Sequence, residues 1–179
     1  MKVLFLDIDG VLNPENGLKK LSKNWTDLSV FGGKDPGKTF CPESVEALRK
    51  IINATGAKIV ISSTWRSEGL EGMKKLWKEK GLPGEVIDIT PYHKDRVRGV
   101  EVDNWLHSKG CYYPKSYWSA PAWTESRDNC EIEGFCIVDD DWDFFIPQEP
   151  HYVNVEAYYG LAQEGKCQEV INKLNKEIA

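Results

Sequence analysis

The sequence predicts a three-layer α/β/α sandwich built on a parallel sheet. Runs at residues 3–6, 57–61 and 135–138, apolar throughout but for Lys58, read as strands buried on both faces, the habit of parallel sheets. An amphipathic stretch separates the first two, and strand, helix, strand at that spacing makes a right-handed crossover. Each run also stops abruptly in polar residues: Asp7-Ile8-Asp9, Ser62-Ser63-Thr64 and Asp139-Asp140-Asp141. Open α/β folds bind ligands beyond the carboxyl ends of their strands, so these clusters predict one shared site.

The elements follow in order. Val3 to Leu6 form the first strand, and Gly10 supplies the turn after the acids. Residues 14–41 are a Gly-, Lys- and Pro-rich insertion. Its Trp25 and Phe31 either reach substrate or, the commoner fate, pack on the body. Its lysines (Lys19, Lys20, Lys23, Lys34 and Lys38) either draw a polyanion or solvate a loop. From Pro42 to Thr55 a helix is expected, with Pro in the first turn, Val45, Leu48, Ile51 and Ile52 at helical spacing, and Gly56 as its stop. After the strand at 57–61, Thr64 is expected to cap a helix over 67–81 that turns Leu70, Met73, Leu76 and Trp77 inward. Glu85 to Ile89 form a third strand. A basic loop over 90–99 then leads to a helix near Val100 to Ser108, with Val102, Trp105 and Leu106 inward. Residues 109–133 carry Tyr112, Tyr113, Tyr117, Trp118 and Trp123. Exposed, those rings would stack bases; burial against the body is the favoured reading. A last strand near His151 to Val155 precedes a closing helix packed through Leu161, Val170, Ile171 and Leu174.

Bulk properties narrow the class. The 179 residues suffice for one domain, and residues 1–179 are read as one. A net charge of -5 excludes a broadly basic nucleic-acid surface while leaving room for a local patch. No apolar run is long enough to span a membrane, and the N-terminus lacks the pattern of a signal peptide. The 5 cysteines, odd in number and without a CxxC pair, predict reduced thiols in a cytoplasmic setting. The spacing of Cys111 and Cys130 is a poor zinc signature.

The chemistry begins with charge. Two carboxylates one residue apart at a strand end repel each other, and a hard cation with oxygen ligands resolves the conflict. Mg²⁺ suits such a place, with one or two carboxylates and a substrate phosphate. Three consecutive acids after the strand at 135–138 repeat the theme.

Asp7-Ile8-Asp9-Gly10-Val11-Leu12-Asn13 resembles motif I of the haloacid dehalogenase (HAD) superfamily of phosphohydrolases. The resemblance implies a HAD-like (Rossmannoid) parallel sheet without a large cap domain. It implies that Asp7 is the nucleophile, forming an aspartyl-phosphate, and that Asp9 is the general acid and base. A Ser or Thr at the second strand end binds the phosphoryl group; counting from the strand favours Ser63, with Ser62 second. The acids 139–143 resemble motif IV. They imply a Mg²⁺ site of Asp7, the Asp9 main-chain oxygen, Asp140 as direct ligand and Asp139 as direct or water-mediated ligand, with Asp143 orienting them. Ser62-Ser63-Thr64-Trp65-Arg66 and Arg98-Gly99-Val100-Glu101-Val102 resemble a small HAD branch that includes domains attached to RNA-repair proteins. That likeness favours Arg98 over Lys94 as the cation beside the phosphate, although HAD enzymes ordinarily carry lysine there. Arg66 either forks onto phosphate oxygens or forms a structural ion pair. For His93 a surface role is favoured. The implied function is Mg²⁺-dependent hydrolysis of phosphate monoesters at an open site. The substrate is then either a small molecule or a 3′- or 5′-phosphorylated nucleic-acid end. Outside enzymes, the alternative is a non-catalytic Mg²⁺- or phosphate-binding relative.

Overall fold

The N-terminal strand becomes the centre of the sheet. In the computed structural model, which describes residues 1–17, 40–111, 130–144 and 146–175, β1 (Lys2–Leu6) lies between β2 (Lys58–Ile61) and β4 (Gly134–Asp139). β3 (Val86–Ile89) flanks β2, and β5 (Tyr152–Asn154) flanks β4. The order is β3-β2-β1-β4-β5 and every pairing is parallel, as the sandwich reading requires.

Alternation assigns the two faces. Leu4, Leu6, Ile59, Ile61, Cys136 and Val138 pack with Leu48 and Ile51 of α1 (Pro42–Thr55), Met73 and Trp77 of α2 (Gly69–Lys80), and Val170 and Leu174 of α4 (Lys166–Asn175). Val3, Phe5, Val60, Phe135 and Ile137 pack on the other face with Val102, Trp105 and Leu106 of α3 (Arg98–Ser108). Phe5 meets Trp105 at 5.3 Å and Phe135 at 5.9 Å, both edge-on. That is the geometry aromatic quadrupoles prefer, and truncating such a ring to Ala costs about 3–5 kcal/mol. α1 starts at Pro42 and stops at Gly56, whose φ of 65° is the left-handed cap that favours glycine.

The structure departs from expectation in three places. The helix expected over 67–81 is preceded and overlapped by a 3₁₀ turn, Thr64–Glu68, and α2 opens after it at Gly69, whose φ is 72°. Ser63, not Thr64, caps the turn, its Oγ accepting from the Trp65 N–H at 3.3 Å. α3 begins at Arg98, earlier than periodicity indicated. The Asp143 carboxylate accepts from Arg98 N at 3.0 Å, and the Asp143 carbonyl accepts from Gly99 N at 3.1 Å. That cap comes from distant chain, so the local sequence gives no sign of it.

The third departure concerns sulfur. Cys111 and Cys130 form a disulfide, while Cys41, Cys136 and Cys167 are free. The reduced-thiol reading therefore fails for this pair. α3 returns the chain to the amino edge of the sheet, where β4 begins, and this brings the two Cα atoms within 4.9 Å. Sequence spacing cannot reveal that return. The disulfide thus lies at the edge opposite the polar strand ends. Most of both predicted insertions, with their aromatic residues and lysines, lies outside the described residues. No helix among the described residues is long and apolar enough to cross a membrane.

Candidate active site

Register fixes what meets at the carboxyl edge. Leu6 pairs with Ile61 on one side and Val138 on the other. Asp7 N donates to Val138 O and Ser62 N donates to Leu6 O, each at 3.1 Å. The next residues of the three strands, Ser62, Asp7 and Asp139, therefore sit level. They also share parity with Val60, Phe5 and Ile137, and so lie on the α3 face.

Arg98, the first residue of α3, answers them from that face. One nitrogen, Nη1, donates to Asp7 Oδ1 at 2.8 Å and to the Ser62 carbonyl at 3.0 Å, and lies 3.1 Å from Asp139 Oδ2. The Asp7 and Asp139 side chains are 4% and 0% exposed, so water scarcely screens these pairs. Burial works against the guanidinium charge, but Asp7 and then Asp139 outweigh it and hold the group protonated.

One guanidinium does not balance the acids. Oxygens of Asp7, Asp139 and Asp140 all lie within 4.8 Å of one another. Burial, then the charge of Asp7, pushes Asp139 up to about 8 and Asp140 up to about 6. Asp139 Oδ2 is buried and accepts no hydrogen bond. Gly10, at φ 72°, lets the Asp140 carboxylate approach: a Cβ there would stand 2.3 Å from Asp140 Oδ2. An all-oxygen cluster of three carboxylates, offset by a single guanidinium, fits a hard divalent cation such as Mg²⁺. The turn that presents these acids is held from β5. Tyr152 Oη donates to the Asp141 carbonyl at 2.5 Å and lies 3.2 Å from the Asp139 carbonyl, and Asn154 Nδ2 donates to the Asp140 carbonyl at 3.0 Å. Sequence reasoning named neither residue for the site.

Asp9 differs from its neighbour. It is exposed, and its Oδ2 accepts from Trp65 Nε1 at 2.8 Å. Partial burial raises its carboxyl pKa, with the Trp65 hydrogen bond pulling the other way. Trp65 was missed as a site residue, since nothing in its sequence position signals a partner 56 residues away.

The remaining candidates divide. Ser62 is level with Asp7, and its Oγ is buried without a partner. Ser63 falls on the opposite face, and its Oγ serves as the cap for Trp65 N. Register thus places the Ser62 hydroxyl on the face of Asp7 and Asp139 and the hydroxyl of Ser63, the residue favoured from the sequence, on the other. For Arg66, of the two alternatives, the structure has the ion pair. Arg66 Nη2 meets Glu101 Oε2 at 2.5 Å with side chains 3% and 2% exposed, and Nη1 donates to the carbonyls of Ser62 and Ser63. Lys94 is exposed on the loop before α3 and is not among the residues brought to the aspartates, whereas Arg98 is. Asp143 works on the Arg98 backbone, not on the acidic cluster. His93 is tied down, its N–H donating to Glu101 Oε1 at 2.9 Å.

No curated protein and no solved structure matches the chain. Residues 3–165 match the family described as the HAD domain in Swiss Army Knife RNA repair proteins, a span that holds all three strand-end clusters. The chain belongs to the HAD domain family of the Swiss Army Knife RNA repair proteins.

Proposed function

We propose that the protein is a Mg²⁺-dependent phosphohydrolase that cleaves phosphate monoesters through an aspartyl-phosphate on Asp7. The observation that carries this reading is the convergence of Asp7, Asp139 and Asp140 within 4.8 Å, beside the Arg98 guanidinium. Those three carboxylates and the Asp9 main-chain oxygen would hold Mg²⁺, which supplies charge neutralisation and polarises a phosphoryl oxygen.

The chain's own groups then divide the work. The Asp7 carboxylate attacks phosphorus in line, forming an acyl-phosphate bond as the ester P–O bond breaks. Asp9, exposed and holding its proton more readily than an ordinary carboxyl, gives that proton to the leaving oxygen. Asp9 next takes a proton from water, whose oxygen attacks phosphorus and frees Asp7 and inorganic phosphate. Arg98 neutralises the phosphoryl oxygens from the α3 side, and the unpartnered Ser62 hydroxyl donates to one of them.

The favoured substrate is a phosphorylated nucleic-acid end, because the family occurs in RNA repair proteins and Asp9 opens to solvent. The test is release of phosphate from p-nitrophenyl phosphate and from terminally phosphorylated oligonucleotides, with and without Mg²⁺. Asp7→Asn is expected to reduce turnover by about 10⁴-fold or more. Residual turnover near the parent level would take the nucleophile's role away from Asp7, and inertness of the parent towards every ester would favour the non-catalytic alternative.

A further inference from the structure

The mechanism leaves one buried device unused. Arg66 and Glu101 form an ion pair almost wholly removed from water, an arrangement whose desolvation usually cancels its attraction. Its contacts give it a different purpose. The Arg66 guanidinium lies 4.2 Å from the ring centroid of Tyr92, and Glu101 Oε1 accepts the next backbone N–H, that of His93. The Tyr92 hydroxyl reaches the Thr64 carbonyl at 3.4 Å. One face of Tyr92 is thus fixed on a buried support, yet the residue is 56% exposed. Two exposed cations follow in the same loop, Lys94 and Arg96, and neither has an ion pair among the described residues. Asp95 between them turns towards His93 at 3.8 Å. The platform stands beside the site, since Arg66 and Arg98 both donate to the Ser62 carbonyl.

We infer that the loop over residues 91–97 is the docking surface for the single-stranded end of a phosphorylated nucleic acid, with the Tyr92 ring stacking on a base and Lys94 and Arg96 holding backbone phosphates. A small ester uses only the groups around Asp7. A ring and two cations outside that shell serve only a substrate that extends beyond its reacting phosphate. Their sign opposes the net charge of -5, so a polyanion is drawn to this place on an otherwise acidic protein. A fixed ring beside unpaired cations is how proteins hold single strands without reading sequence.

The inference rests on the proposed function, and the experiment separates the two. Binding of a terminally phosphorylated single-stranded oligoribonucleotide to Asp7→Asn protein is measured by fluorescence anisotropy, with heparin as a base-free polyanion. Adding Tyr92→Ala is expected to weaken oligonucleotide binding about 5- to 150-fold and leave heparin binding unchanged, with Tyr92→Trp restoring it. Removing Lys94 and Arg96 together is expected to weaken both and to flatten the salt slope by about 0.7 per cation. Parent and Tyr92→Ala proteins should hydrolyse p-nitrophenyl phosphate alike. Unchanged oligonucleotide affinity in Tyr92→Ala, or equal loss for heparin, overturns the docking surface whatever the esterase assay gives. Failure on the small ester with Tyr92-dependent binding overturns the catalytic reading and leaves the surface standing.

Discussion

Replacing Asp140 by Asn tests whether the acidic cluster is built for a cation. The two side chains are nearly isosteric, so the close approach to Gly10 is kept while the charge is lost and one acceptor oxygen becomes an amide donor. Two unit charges 4.8 Å apart repel by about 3.5 kcal/mol at an effective dielectric of about 20, and by about 1 kcal/mol in water. Asp140 is half-buried and Arg98 offsets part of the repulsion, so roughly 1 kcal/mol is the reasonable gain. The metal-free variant should therefore melt about 2–4 °C higher than the parent. In the parent, Mg²⁺ at about 100 times its Kd adds about 2.7 kcal/mol, or about 5–10 °C. The variant should lose most of that shift. The pH dependence has a definite sign. Asp139 and Asp140 have raised carboxyl pKa values in the folded protein, so it binds more protons than the unfolded chain from the ordinary carboxylate range up to about 6 for Asp140 and about 8 for Asp139. Metal-free stability thus falls as pH rises through that window, and the Mg²⁺ shift shrinks as pH drops through the same window, because the carboxylates must be deprotonated to hold the cation. Differential scanning fluorimetry across pH, with Mg²⁺ and with chelator, measures all of this. A variant that melts lower than the parent without metal in alkaline buffer, yet keeps the full Mg²⁺ shift, refutes the reasoning.

Four other outcomes are expected. Because Arg98 makes all three contacts through one nitrogen, Arg98→Lys should keep activity within about tenfold, whereas Arg98→Met should lose about 100-fold or more in kcat. Trp65→Phe removes the hydrogen bond to Asp9 and should lower kcat roughly five- to tenfold with KM for p-nitrophenyl phosphate unchanged; a KM effect alone would show that Trp65 only shapes the pocket. Glu101→Gln leaves Arg66 buried without its counter-charge and should cost about 3–5 kcal/mol, read as a lower urea midpoint at unchanged slope. Reducing the Cys111–Cys130 disulfide should cost about 3 kcal/mol by releasing its loop, with Mg²⁺-dependent turnover of the folded fraction unaltered because the bond lies at the far edge of the sheet.

The sequence displayed the strands and the polar residues that end them, because burial on both faces leaves an unmistakable apolar run and a carboxylate after it has no packing reason to be there. What it concealed was everything that depends on register and on distant partners. Ser62 and Ser63 are indistinguishable in a string of hydroxyls; only the pairing of Leu6 with Ile61 puts the first level with Asp7 and sends the second to a helix cap. Arg66 offered a guanidinium with two plausible fates, and Glu101, 35 residues on, decided between them. Cys111 and Cys130 looked unpaired because a helix's return path is not written in spacing.

The same dependence on partners explains how an arginine serves as the cation of this site. The position requires one cationic nitrogen held between Asp7, Asp139 and a strand-end carbonyl, and the extra reach of arginine must be taken up by the backbone that carries it. Asp143 does this by capping Arg98 and Gly99 from the strand-four loop, so the motif that supplies the acids also sets the distance of the cation that opposes them. Gly99 is part of the fit, since a Cβ there would press within 3.1 Å of the Asp143 carbonyl and 2.8 Å of Gln148 Oε1. Charge balance at this site is therefore a property of two loops acting together. A substitution at Gly99, which touches no reacting atom, should displace Arg98 and reduce turnover through it.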